Sequence, residues 1–131
     1  MKYKDFKKTR YLKIELDNIN KHLKEITYLS ASNPTACLTS SSKSNASPVE
    51  RVAQLRSKYT SLLERKQVKY LEKLIKVEEF LEEEEDPQIR LIIRLYFIEG
   101  YTWEEVASTM YCHRTLPKKK IDKYFKERNI S

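Results

Sequence analysis

From Tyr3 to about Leu29 the apolar residues Leu12, Leu16, Ile19, Leu23 and Ile26 recur at alternating steps of four and three. That spacing keeps one narrow face of a helix apolar and is the signature of a heptad seam. The period disappears in "SASNPTACLTSSSKSNASP", residues 30 to 48, where serine, threonine, asparagine and proline dominate. Such a composition predicts a mobile linker. Pro48 then opens a second helical segment reaching about Glu85, with Val52, Leu55, Tyr59 and Leu62 as one stripe. Tyr70, Leu74, Val77 and Leu81 continue it after an irregular step. Two long amphipathic helices joined by a loop predict an antiparallel hairpin, coiled-coil-like, whose stripe serves either packing within the chain or association with a second copy.

The acidic run "EEFLEEEEDP", residues 78 to 87, ends this region, and Asp86 before Pro87 disfavours helical geometry. We place the domain boundary here. Residues 1–85 are expected to form the association region and residues 86–131 a separate domain. Carboxylates clustered at a helix end without a glycine-turn loop are read as a solvated face rather than a cation site.

Residues 87 to 131 divide into three shorter helical patterns. In "PQIRLIIRLYFIEG", Pro87 suits a first helical turn and Ile89, Ile93, Tyr96 and Phe97 form the core stripe. Gly100, the chain's single glycine, fits a left-handed helix stop. Next, Thr102 and Glu105 have the spacing of a capping box, and Tyr101 and Val106 that of a hydrophobic staple. Two independent signals therefore agree on a helix start. Val106, Ala107 and Met110 are expected inward, and Trp103 reads as a packing residue. After a turn at Met110 to Cys112, a third helix is expected from about His113 or Arg114 to Arg128. Ile121, Tyr124 and Phe125 would face inward, and Arg114, Lys118, Lys119, Asp122, Lys123 and Lys126 outward.

Composition narrows the partner. With 131 residues, one glycine, four prolines and 34% charged residues, the chain predicts an all-α protein with a modest core and no large catalytic cavity. A net charge of +7 favours a polyanion, nucleic acid first. No apolar stretch has membrane-spanning length, and "MKYKDFKKTR" lacks the features of a secretory signal, so a cytoplasmic location is expected. Cys37 and Cys112 would stay unpaired there. Cys112 and His113 are adjacent, but with Cys37 in the linker and His22 in the first helix they lack zinc-site spacing. They also lack an orienting group for nucleophilic catalysis, so no metal, cofactor or enzymatic activity is expected.

A capped short helix, a tight turn and a basic helix follow the helix-turn-helix order. "LYFIEGYTWEEVASTMYCHRT" resembles the helix-turn-helix of sigma-factor region 4, and more specifically small phage regulators of the ArpU and RinA type from Gram-positive bacterial viruses. The resemblance rests on Phe97 to Ala107 and covers about the last third of the chain. It implies a DNA-binding regulator of a phage or phage-derived operon, often of late genes. By position, Thr102 would cap the second helix near a phosphate. His113, Arg114, Thr115, Lys118 and Lys119 would occupy the early recognition helix, with Asp122, Lys123 and Lys126 further along the same helix. Arg114 suits bidentate pairing with guanine, Thr115 a base edge or phosphate, and the lysines phosphates.

Two residues depart from that pattern. Tyr111 stands where related turns carry a small or flexible residue, so it must avoid positive φ or accept strain. Pro117 replaces a β-branched core residue and is expected to delay the helix to about Thr115, since proline is tolerated only in a first turn. The implied partners are double-stranded DNA, RNA polymerase and a second copy bound through the N-terminal helices. The alternatives are a helical protein-interaction module and a sigma-like factor binding RNA polymerase.

Overall fold

The computed structural model describes residues 1–32 and 48–128. It is all-helical, with no strand among the described residues: α1 (Tyr3–Ser32), α2 (Pro48–Glu82), α3 (Pro87–Ile93), α4 (Trp103–Thr109) and α5 (Leu116–Glu127). A π-helical turn, Arg94–Ile98, continues α3. α1 persists to Ser32, past the expected start of the linker at residue 30, and residues 33–47 of that linker lie outside the described residues. α2 stops at Glu82, short of the expected Glu85.

Two compact units emerge. One joins Met1–Glu15 to Lys69–Ser131, and the other spans Leu16–Val68. The grouping therefore runs differently from the boundary expected at residue 86. Its cause is the start of α1, where Phe6 and Thr9 are fully buried. Phe6 packs against Phe80, Phe97 and Phe125 at ring-centroid distances of 5.1, 5.5 and 5.3 Å, and Tyr3 against Phe125 at 4.7 Å. Burying one such phenylalanine stabilises by roughly 1.5–3 kcal/mol. The rest of this core comes from Val77 and Leu81 of α2, Ile89, Ile92 and Ile93 of α3, Val106 of α4, and Ile121, Tyr124 and Phe125 of α5. Ile92 joins the expected stripe. Tyr96 instead stays half-buried and stacks on Trp103, with centroids 3.8 Å apart and planes 12° from parallel.

Chain breaks in this unit have local causes. Asp86 is extended and caps α3, its Oδ1 accepting the Gln88 N–H at 2.9 Å, and Pro87 opens the helix where no N–H is needed. At the other end, Glu99 N–H bonds to Arg94 C=O at 2.9 Å, the i→i−5 bond of a π turn. Gly100 then adopts φ +78, as its singularity predicted. A Cβ there would meet Lys13 Cγ at an ordinary 3.6 Å, so the dihedral and not space demands glycine.

The helix end leaves carbonyls to satisfy. Arg10 donates from Nη1 to Tyr96 C=O at 2.6 Å and to Tyr101 C=O at 2.8 Å, with its guanidinium 3.9 Å over the Tyr96 ring. The Tyr70 hydroxyl donates to Ile98 C=O at 2.8 Å. Arg10, Tyr96 and Trp103 thus form one stack that fastens the start of α1 to the π turn and to α4.

The acidic run contains a second departure from expectation. Glu84, read as part of a solvated face, is 4% exposed. Its carboxylate accepts the Tyr124 hydroxyl and the Asp86 N–H (3.2 Å) and lies 3.4 Å from Arg128 Nη1. Burial, then the hydrogen bond and charge of Glu84, push the Tyr124 phenol well above its ordinary range. A neighbouring acid, Glu78, pairs bidentately with Arg94 at 2.5 and 2.8 Å.

In the second unit Leu16 of α1 and Leu63 of α2 are buried. Leu55 and Leu62, expected on the stripe, are instead 54% and 43% exposed. Along α2 the covered row runs through Val52, Arg56, Tyr59, Leu63, Lys66, Tyr70, Leu74, Val77 and Leu81, at steps of three and four throughout. Its regular spacing removes the irregular step, because the half-buried Arg56 and Lys66 occupy row positions between the apolar residues.

Candidate nucleic-acid interface

The segment from Thr102 to Glu127 places the residues expected to touch DNA. Thr102 has an extended backbone, and its hydroxyl accepts the Glu105 N–H at 3.2 Å. The same hydroxyl donates to the Glu105 carboxylate at 3.2 Å, so the reach back of Glu105 ends on the side chain of its cap. Val106 is fully buried and Tyr101 packs against the same core, as the staple requires. Thr102 therefore caps α4 as expected, with its side chain exposed.

α4 closes in a Schellman motif. Tyr111 N–H donates to Ser108 C=O at 3.2 Å, and Cys112 N–H to Ala107 C=O at 3.0 Å. This crossing pair requires a left-handed residue between helix and exit, and Tyr111 supplies it at φ 54. Of the two courses open to this tyrosine, it takes the strained one. The cost is about 1–2 kcal/mol for a residue with a Cβ. The ring is 97% exposed and so gains almost nothing from packing.

α5 starts at Leu116 with Thr115 as its cap residue, which corrects the start at His113 or Arg114 and agrees with the delay to about Thr115 expected from Pro117. His113, Arg114 and Thr115 sit in the connection before it. His113 nevertheless does part of a cap's work: its Nδ1 accepts the Thr115 N–H at 3.3 Å and lies 2.9 Å from the Thr115 hydroxyl, while its C=O accepts the Leu116 N–H at 3.0 Å. Pro117 lies in the first turn of α5 and is buried. It fills the core slot itself, at a position whose N–H has no helical acceptor, so the helix loses no bond.

Ile121, Tyr124 and Phe125 face the core, and Lys118, Lys119, Asp122, Lys123 and Lys126 are exposed. Arg114, Thr115, Lys118, Lys119 and Asp122 come together with Trp103 and Glu104 around an open groove of about 450 Å³ between the start of α4 and the start of α5. Arg114 Nη1 lies 3.9 Å from Glu104, both side chains over 70% exposed. A pair so exposed is worth only about 0–1 kcal/mol and yields readily to a phosphate. Lys123 borders a different groove, with Lys120 and Glu127, and pairs with Glu127 at 3.7 Å. Asp122 lies close enough to Tyr3 for its charge to raise that phenol, after burial, the larger cause. It is thus turned in part toward α1.

Sequence reasoning missed three residues that shape this surface. Leu116, 53% exposed, presents an apolar side chain at the first position of α5. Lys120 is held by Gln88 and, at 3.5 Å, by Asp86, which ties α5 to the cap of α3. Arg10, far away in sequence, steadies the stack under Trp103. Only the first had a signal: an apolar residue just before a proline in a basic run. Among the described residues no cluster of histidine, cysteine or acidic side chains has the arrangement of a metal site, and Cys112 is half-buried with a free thiol. Among the described residues, no helix is long and apolar enough to cross a membrane. No protein family, curated protein or solved structure matches the chain.

Proposed function

We propose that the chain is a sequence-specific DNA-binding transcriptional regulator, of the phage or phage-derived kind that its motif resembles. α4 and α5 would act as the helix-turn-helix, and the long helices α1 and α2 as a hairpin for association or for contact with RNA polymerase. The observation that carries this reading is the junction itself. A capped α4 closes through a Schellman turn directly into a helix whose inner face is core and whose outer face is basic. In such a motif the start of the second helix enters the major groove, while flanking cations meet phosphates. Arg114, Thr115, Lys118 and Lys119 border the groove at that start and are the base-proximal set. Lys123 and Lys126 lie further along α5 and would neutralise phosphates.

The full chain, titrated against pools of duplex DNA at several salt concentrations, tests this. Selective enrichment of one sequence with a steep salt dependence is expected. Arg114→Ala should flatten sequence preference, whereas Lys123→Ala or Lys126→Ala should weaken all duplexes alike and lower the salt slope by about 1. Equal losses on selected and random DNA for all of these changes would refute the division of roles. A second reading, a helical protein-interaction module, draws on Leu71 and Ile75, which are 56% and 59% exposed on α2. Absence of any enrichment, with salt-independent binding to a protein, would favour it.

A further inference from the structure

We propose that Tyr111 is a contact residue for the sugar-phosphate edge of duplex DNA, an assignment that rests on the DNA-binding reading above. Two independent observations meet at this residue. Its backbone is held at φ 54 by the crossing hydrogen bonds of the Schellman turn, a conformation in which glycine would be free of strain. Its side chain is 97% exposed, so the fold recovers none of that strain through packing. A bulky aromatic at a glycine position, contributing nothing to the core, is placed for something outside the chain.

The chemistry of the ring suits the edge of a duplex. A phenol O–H donates to a phosphate oxygen, and the ring covers the apolar face of a deoxyribose. Location favours DNA over a protein partner. Tyr111 stands on the same connection as His113, Arg114 and Thr115, and the last two border the basic groove at the start of α5. Because the turn fixes the backbone, the side chain leaves it in a set direction and less freedom is lost on binding.

The experiment compares the full chain with Tyr111→Gly, Tyr111→Phe and Lys119→Ala by fluorescence anisotropy on the enriched duplex, with melting followed in parallel. Tyr111→Gly relieves the strain and should raise the melting temperature by about 3–5 °C. It should also weaken duplex binding about tenfold with an unchanged salt slope, because a neutral phenol releases no counterion. Tyr111→Phe keeps the strain and the ring, and should lose about threefold. Binding to Tyr111→Gly at full strength, while Lys119→Ala is weakened, overturns this proposal and leaves the DNA reading standing. Loss of RNA polymerase binding by Tyr111→Gly with duplex affinity intact overturns it in favour of a protein contact. A fall in melting temperature accompanying the affinity loss overturns it in favour of a structural role. A chain that binds no duplex overturns both readings together.

Discussion

Replacing Arg10 by alanine should unfasten the start of α1 from α4 and the π turn within their shared unit. The guanidinium holds two main-chain carbonyls, at 2.6 and 2.8 Å, and covers Tyr96 at 3.9 Å. Hydrogen bonds to a charged donor contribute about 1.5–3 kcal/mol each. Here the carbonyls are only part-buried and water recovers some of the loss, so about 1 kcal/mol each is the fitting figure. The cation over the ring adds roughly 0.5–1 kcal/mol. Arg10→Ala is therefore expected to cost about 2.5–3 kcal/mol, a large share of the roughly 5–15 kcal/mol typical of a folded protein. Arg10→Lys should lose about half as much, since a point charge cannot span both carbonyls or lie flat on the ring.

Urea titration followed by fluorescence reads this directly, because Trp103 is the chain's only tryptophan and is stacked on Tyr96. The variant's midpoint should fall with little change of slope. A loss below about 0.5 kcal/mol for Arg10→Ala would refute the stack as a fastening. So would indistinguishable effects of alanine and lysine.

Glu84→Ala should destabilise the same unit by roughly 2–4 kcal/mol, since it strands the Tyr124 hydroxyl in a buried site. Glu84→Gln, which keeps an acceptor, should cost less, and calorimetric melting of the pair checks the order. Alkaline titration gives a further expectation. The Tyr124 phenol is raised in the folded chain above its ordinary value of 10.0. The proton is thus held more tightly when folded, so its contribution is complete below about pH 10 and is lost as pH rises beyond that. Tyr124→Phe should flatten the alkaline limb of stability measured by circular dichroism, and an unchanged limb would count against the buried Tyr124–Glu84 contact.

Much of the C-terminal region was legible because its signals are local. Thr102 with Glu105, Gly100, and the inward Ile121, Tyr124 and Phe125 each act within a turn or two of their own position. Tyr111 was legible as a dilemma, and only the hydrogen bonds of Ala107 and Ser108 decided it. Basic character extends over His113 and Arg114 and suggests a start of α5 there, whereas Pro117 points to about Thr115, the cap residue of the helix that begins at Leu116. What could not be read were pairings over long separations. Nothing near Arg10 announces that it serves carbonyls 86 and 91 residues away. Nor does a run of glutamates say which one is turned inward to Tyr124. On α2 hydrophobicity favours Leu55 over Arg56, and that phase carries on to Leu62, whereas the part-buried Arg56 leads to Leu63 instead.

The placement of Phe6 in the core has a consequence for the order in which the molecule is made. Its aromatic neighbours lie at positions 80, 97 and 125, so Phe6 finds its full seat only after these much later segments of the chain have been made. Until then an apolar face waits in solvent, and closure of so long a loop belongs to the slow class of folding events. The opening residues of α1 thus complete, from far away in sequence, the core on which α4 and α5 rest.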